Sequence, residues 1–139
     1  MLSHEGKEIR FHDYLNHKYV VLYFYPKDNT YGCIIESKTF RDRYQEFTEA
    51  GAVVVGVSSD GVESHKKFVE DQKLPFTLLS DMGGKVRDLY GVPKTFGMLP
   101  GRTTYLINHQ GIVEYVFSSQ FQFDSHVKNT LAIIQNQSS

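Results

Sequence analysis

An α/β domain with a central mixed sheet, flanked by helices on both faces, is predicted from three features of the sequence. An apolar run at residues 20–25 (VVLYFY) is followed by a turn, a helical stretch from Cys33 and a second apolar run at 52–57 (AVVVGV). A strand, helix, strand succession of this length implies parallel pairing with a right-handed crossover. Two further strand-like runs, 103–107 and 112–117, are separated by Asn108, His109, Gln110 and Gly111, a turn signal that makes them an antiparallel hairpin.

Taken in order, residues 1–19 hold Gly6 and scattered apolar positions (Ile9, Phe11, Tyr14, Leu15), which suits a short edge hairpin or loop. The run at 20–25 is continuous and rich in β-branched and aromatic residues, as expected of a central strand covered on both faces. From Cys33, residues Ser37, Phe40, Tyr44 and Phe47 recur at helical spacing, and Gly51 is placed to end that helix. After the strand at 52–57, Ser59 and Asp60 can cap a helix to about Lys73 that buries Val62, His65, Phe68 and Val69, with Pro75 forbidding its extension. A short strand at 76–79 follows. Gly83 and Gly84 precede a brief helix at 85–90, and residues 91–102, with three glycines and two prolines, form an irregular loop. Asp124 or Ser125 caps a last helix with Val127, Leu131 and Ile134 on one face, before a polar, frayed tail at 135–139.

Composition narrows the possible functions. With 139 residues, 40% of them hydrophobic and 14% aromatic, the chain forms a single domain, 1–139. Its 15 basic and 16 acidic residues leave a formal net charge of −1, which gives no reason to expect nucleic acid or an anionic membrane as partner. No apolar run approaches the roughly 20 residues of a membrane-spanning helix, and the opening MLSHEGKEIR lacks the apolar core of a secretory signal. One cysteine permits no internal disulfide, so a reducing compartment is expected: the cytoplasm, or an organelle stroma after processing. Six histidines show no metal-ligand spacing, and the Gly83–Gly84 pair lacks the surroundings of a phosphate-binding loop. No metal and no organic cofactor is expected.

The chemistry-bearing stretch is YFYPKDNTYGCIIESKTF, residues 23–40. Cys33 falls where the helical pattern begins, and unpaired N–H groups and the dipole at a helix N-terminus favour a thiolate. A lone cysteine can equally be a small buried apolar residue. Thr30 can cap the helix or hydrogen-bond a thiolate from the same turn, and Pro26 reads as a strand terminator. By themselves, Arg102 reads as a surface arginine and Glu36 as a favourable acid in a first helical turn.

Pro26, Thr30 and Cys33 stand in the pattern P-x-x-x-T-x-x-C, which resembles the signature of peroxiredoxins. YFYPKDNTxGCxxE is similar to the bacterioferritin-comigratory, or Q-type, subfamily. The resemblance continues through FRDRY, GVSSDGVESHKKF, LPFTLLSD, YGVPKTFGMLPGRTTYLI and FQFDSHV, nearly the whole chain from Gly6. It implies a thioredoxin-like fold and a thiol-dependent peroxidase. Cys33 then matches the peroxidatic cysteine, whose thiolate attacks a hydroperoxide and becomes a sulfenic acid. Thr30 matches the hydroxyl that bonds thiolate and peroxide, and Pro26 the proline that shields the site from water. Arg102 matches the arginine that holds the thiolate and the developing charge, and Glu36 the glutamate that orients it.

The chain departs from the subfamily pattern at four places. Tyr31 replaces a second proline, and Ile34 and Ile35 replace small polar residues, so a more apolar and bulkier rim is expected around the pocket. Lys38 stands where many relatives carry a resolving cysteine, so recycling needs an external thiol: thioredoxin, glutaredoxin or glutathione. The family's opening strand ahead of Gly6 is also absent from the sequence. The resemblance implies a monomer, with a homodimer through the apolar residues near Cys33 as the alternative. The competing functional reading is a thiol switch or binding module in which Cys33 is oxidised once and not turned over.

Overall fold

In the computed structural model of this chain, the structure describes residues 1–10, 14, 19–28, 30–81, 86, 102–118 and 122–138. Six strands among them form one sheet: β1 (Leu2–Ser3), β2 (Tyr19–Phe24), β3 (Ala52–Ser58), β4 (Thr77–Ser80), β5 (Thr103–Asn108) and β6 (Val113–Ser118), in the order β1-β4-β3-β2-β5-β6. The helices are α1 (Tyr31–Asp42), α2 (Tyr44–Glu49), α3 (Val62–Gln72) and α4 (Phe123–Ser138). The sheet is mixed as expected: β2 runs parallel to β3 and β3 to β4, while β5 is antiparallel to both β2 and β6.

Every residue of β2 is buried. Its alternate side chains feed two cores, Tyr19, Val21 and Tyr23 on one face and Val20, Leu22 and Phe24 on the other. The crossovers β2-α1-α2-β3 and β3-α3-β4 step the same way across the sheet, so right-handedness puts α1, α2 and α3 on one face. Phe40, Phe47 and Phe68 join the first core there, together with Val127, Leu131 and Ile134 of α4. Phe40 stacks on Tyr23 with ring centroids 4.5 Å apart, which seats α1 on the central strand. The opposite face is packed by Met1, Ile9, Tyr14 and Val86. Val86 is helical and falls within the helix expected at 85–90; the rest of that helix, the Gly83–Gly84 pair and nearly all of the loop at 91–102 lie outside the described residues.

Several boundaries differ from expectation for identifiable reasons. The helix from Cys33 starts two residues earlier, at Tyr31, and is two helices, because Arg43 leaves helical geometry (φ −107°, ψ 10°) and its carbonyl accepts from both Glu46 and Phe47. Gly51 ends the second of them in the left-handed region, φ 83°. Asp60 does not cap α3; Gly61 holds that position without a side-chain bond. The Asp60 carboxylate is engaged by the Asp28 N–H at 2.7 Å and the Ser58 hydroxyl at 2.6 Å. Asp124 and Ser125 lie inside α4 rather than before it, and the tail expected to fray continues that helix to Ser138. The N-terminal segment does form a small edge hairpin, with β1 antiparallel to β4 and a bridge from Leu2 to Glu8.

Gly56 in β3 lies where the core allows no side chain: an added Cβ would stand 2.7 Å from Tyr23 Cζ and 2.8 Å from Leu78 Cδ2. Gly56→Ala is therefore expected to lower the unfolding free energy by about 1–3 kcal/mol, measured by chemical denaturation. A midpoint equal to wild type would show that Tyr23 moves aside freely.

Candidate active site

The site begins where β2 runs out. Tyr25 still bonds Val57 O through its N–H at 3.0 Å, and the half-buried Pro26, which has no N–H, ends the ladder. The chain turns, Thr30 takes extended geometry at the start of α1 (φ −87°, ψ 155°), and Cys33 is the third helical residue, fully buried. Its main-chain N–H is one of the groups that a helix start leaves without an internal partner. Thr30 occupies the cap position without capping: its hydroxyl donates to Lys27 O at 2.8 Å. A hydroxyl has one hydrogen, so Thr30 must release Lys27 before it can donate to a thiolate.

Arg102 arrives from the other end of the chain. The register pairs Phe24 with Thr103, so the residue before Thr103 lies alongside the loop that leaves β2. Its Nη2 donates to Cys33 Sγ at 3.4 Å and its Nη1 to Glu36 Oε1 at 2.6 Å. Neither the surface arginine nor the first-turn acid survives as a reading: Arg102 is 3% exposed, Glu36 is fully buried, and Glu36 sits in the second turn of α1. Behind this pair, His126 Nδ1 lies 3.7 Å from Glu36 Oε2 and 2.7 Å from Thr104 Oγ1.

Burial opposes charge throughout the site. It raises the Cys33 thiol above its ordinary value, against the pull of the Arg102 charge, the Thr30 hydroxyl and the Lys27 main chain, and the Glu36 charge adds to the rise. The thiol is thus not lowered, as its place at a helix start led one to expect, because desolvation outweighs the favourable neighbours. Burial likewise lifts the Glu36 carboxyl to about 7, even with Arg102 pulling it down. Arg102 itself is raised by Glu36 and Cys33 despite its own desolvation and stays cationic. The 2.6 Å contact favours an ionised Glu36 and its dry surroundings favour a neutral one, which leaves the pair balanced near neutral pH.

Of the remaining positions, Tyr31 is 79% exposed and Ile34 and Ile35 are half-buried, an apolar rim as anticipated, while Lys38 points outward. A second buried cluster was not anticipated. Asp28 accepts from Tyr25 Oη at 2.6 Å and Ser64 Oγ at 2.8 Å, and its Oδ2 is 2.7 Å from His65 Nδ1. His65 Nε2 donates to Leu79 O at 2.9 Å. Together with the Asp28 N–H bond to Asp60, this ties the loop holding Lys27 and Thr30 to α3 and β4. Asp28, Asp60 and His65 bring ligand-type atoms within 4.8 Å of one another, each already engaged in these bonds. Sequence spacing could not reveal the cluster, since Asp28 and His65 are 37 residues apart.

The AhpC/TSA family model matches residues 1–116. The chain belongs to the AhpC/TSA family. It is 52% identical over 120 residues to the chloroplastic peroxiredoxin Q of Triticum aestivum, covering 86% of this chain and 55% of that protein. The chloroplastic peroxiredoxin Q of Sedum lineare is also 52% identical over 120 residues, covering 86% of this chain and 64% of that protein. The chain therefore spans between half and two thirds of the length of these relatives. Among solved structures, peroxidoxin BcpB from Mycobacterium tuberculosis superposes with a TM-score of 0.90 at 37% identity, over 98% of this chain and 90% of that one. The bacterioferritin comigratory protein of Xanthomonas campestris superposes with 0.90 at 29% identity, over 99% and 90%. The thioredoxin-like fold and the Q-type kinship expected from the sequence are thereby established.

Two outcomes follow from the buried groups. A carboxyl raised in the folded state binds its proton more tightly there than in the unfolded chain, so the Glu36 contribution to stability is complete below the ordinary 4.5 and is lost as pH rises through about 7. The difference in unfolding free energy between wild type and Glu36→Gln, measured across that window, should carry this slope; a pH-independent difference would place the carboxyl in its ordinary range. Asp28→Ala leaves Tyr25, Ser64 and His65 without their acceptor and should cost on the order of 3 kcal/mol or more by denaturant titration. A loss below about 1 kcal/mol would show that water replaces the carboxylate.

Proposed function

We propose that the protein is a thiol-dependent peroxidase for hydrogen peroxide and small organic hydroperoxides, with Cys33 as the reacting thiol. The observation that carries this reading is the Arg102 guanidinium, which spends one arm on Cys33 Sγ and the other on the buried Glu36. A buried cation 3.4 Å from the sulfur favours its deprotonation and also faces the oxygen on which negative charge develops as the O–O bond breaks. The Cys33 thiolate attacks the terminal peroxide oxygen; the S–O bond forms, the O–O bond breaks, and the departing alkoxide or hydroxide takes a proton to leave as alcohol or water. Cys33, now a sulfenic acid, is attacked by an external thiol, which releases water and forms a mixed disulfide; a second thiol restores Cys33.

Thr30, released from Lys27, bonds the thiolate and the incoming peroxide, and Pro26 closes the turn against water. Glu36 holds Arg102 in the orientation that reaches the sulfur. The Xanthomonas campestris relative is described for its alkyl peroxide reduction activity, which supports the substrate class. With one cysteine in this sequence, the resolving thiol comes from thioredoxin, glutaredoxin or glutathione. We place the protein as a monomer in a reducing compartment, the cytoplasm or an organelle stroma, two relatives being named as chloroplastic. No described helix is long and apolar enough to cross a membrane.

A thiol switch is the second reading, and the raised Cys33 thiol favours it, because fewer thiolates at neutral pH mean slower attack. Peroxide consumption coupled to each of the three thiol systems separates the two. The proposed enzyme consumes many equivalents per chain and Cys33→Ser none, while a switch stops at one. Arg102→Ala is expected to slow peroxide attack by roughly 10²-fold, the scale of losing one stabiliser of developing charge. An unchanged rate in that variant would remove Arg102 from the mechanism.

A further inference from the structure

The two oxygens of Glu36 are unequally provided for. Oε1 accepts from Arg102, whereas Oε2 is buried and, among the described residues, has no hydrogen-bond partner. An unsatisfied buried carboxylate oxygen is costly, and the cost falls when the oxygen carries a proton or faces a donor or a positive charge. The group nearest to that role is His126, fully buried on α4, whose Nδ1 stands 3.7 Å from Oε2. Thr104 Oγ1 holds the same nitrogen at 2.7 Å, and the ring packs edge-on against Phe117 with centroids 4.7 Å apart. The histidine is thus fixed on two sides with one ring nitrogen beside an orphaned carboxylate oxygen.

We infer that His126 is a positioning residue for the reaction at Cys33: through Thr104 it is anchored to face Glu36, it favours the ionised carboxylate, and it thereby governs how much of the Arg102 charge is left for the sulfur. With Glu36 ionised, one guanidinium is shared between two anions. With Glu36 neutral, its whole charge faces Cys33. Among the described residues, the other titratable groups facing Glu36 are Arg102 at the entry to β5, Cys33 on the same helix, and Tyr23 on β2. Burial holds Tyr23 well above its ordinary range, so it remains neutral, and its hydroxyl is bonded to Ser37. Arg102 stays cationic, which leaves the Glu36 carboxyl, brought to about 7 by burial, as the group on which His126 acts.

The inference rests on Cys33 being the reacting thiol only for its consequence, and its test uses no peroxide. Protonation of Glu36 is read directly as the infrared carbonyl band of a buried carboxylic acid, assigned by its loss in Glu36→Gln. Removing the ring in His126→Phe should move the midpoint of that band up by about one pH unit, the scale of losing one polar or charged neighbour. Alkylation of Cys33 by iodoacetamide between pH 7 and 8 should then rise about threefold, because less negative charge faces the thiol. His126→Asn, whose amide nitrogen stands where Nδ1 did, should bring both readings back toward wild type. Coupling between two sites is reciprocal in sign, so Glu36→Gln should lower the pH at which the His126 ring loses its proton, followed by NMR of the ring nitrogens. That arm needs no substitution at His126 and keeps the test decisive if His126→Phe does not fold. A carboxyl band and a ring titration that both stay in place, with only the thermal midpoint lowered, would reduce His126 to a packing residue.

Discussion

Taking the Arg102 guanidinium out of water is the constraint on which the rest of the site depends. A buried cation is tolerated only with an anion and hydrogen bonds to meet it, and Glu36 at 2.6 Å supplies both. Sixty-six residues separate the two, so the pairing needs β5 beside β2 in the register that sets Thr103 opposite Phe24. One strand slip would carry Arg102 away from the loop and leave both charges buried without partners. Sheet register and the electrostatics of the candidate site are the same fact seen at two scales.

That burial has a cost that the site uses. Dry surroundings raise the thiol and the carboxyl alike, and both face one guanidinium. A site built this way responds to small changes in charge close to neutral pH, because the balance lies there. Under the proposed function it also separates the roles of its residues: Cys33 carries the chemistry, Arg102 the field, and Glu36 divides that field.

Holding the loop still is a separate task, assigned to other side chains. The turn from Pro26 to Thr30 offers little apolar surface, with Lys27 and Thr30 exposed, so packing alone cannot order it. Asp28 does so with hydrogen bonds, gathering Tyr25, Ser64 and His65 around one carboxylate that is 5% exposed. Thr30 then has Lys27 O to return to at 2.8 Å, and the helix start stays aimed at the sulfur.

Much of this protein was legible in its sequence because the signals are local. Strand runs at 20–25 and 52–57, the helical stripe of Ser37, Phe40 and Phe47, the hairpin turn at 108–111 and the P-x-x-x-T-x-x-C spacing each involve neighbouring residues whose periodicity or turn chemistry does not depend on the rest of the chain. The family resemblance pointed to Arg102 and Glu36, although by its own local context each read as an ordinary surface or helix-end charge. Only the tertiary structure decided that both are buried, that the thiol is raised rather than lowered, and that Asp60 serves Asp28 instead of capping α3. The same holds for Asp28 with His65 and Glu36 with His126: their partners lie 37 and 90 residues away, and burial beside them is a property of the packed fold that no local stretch of sequence contains.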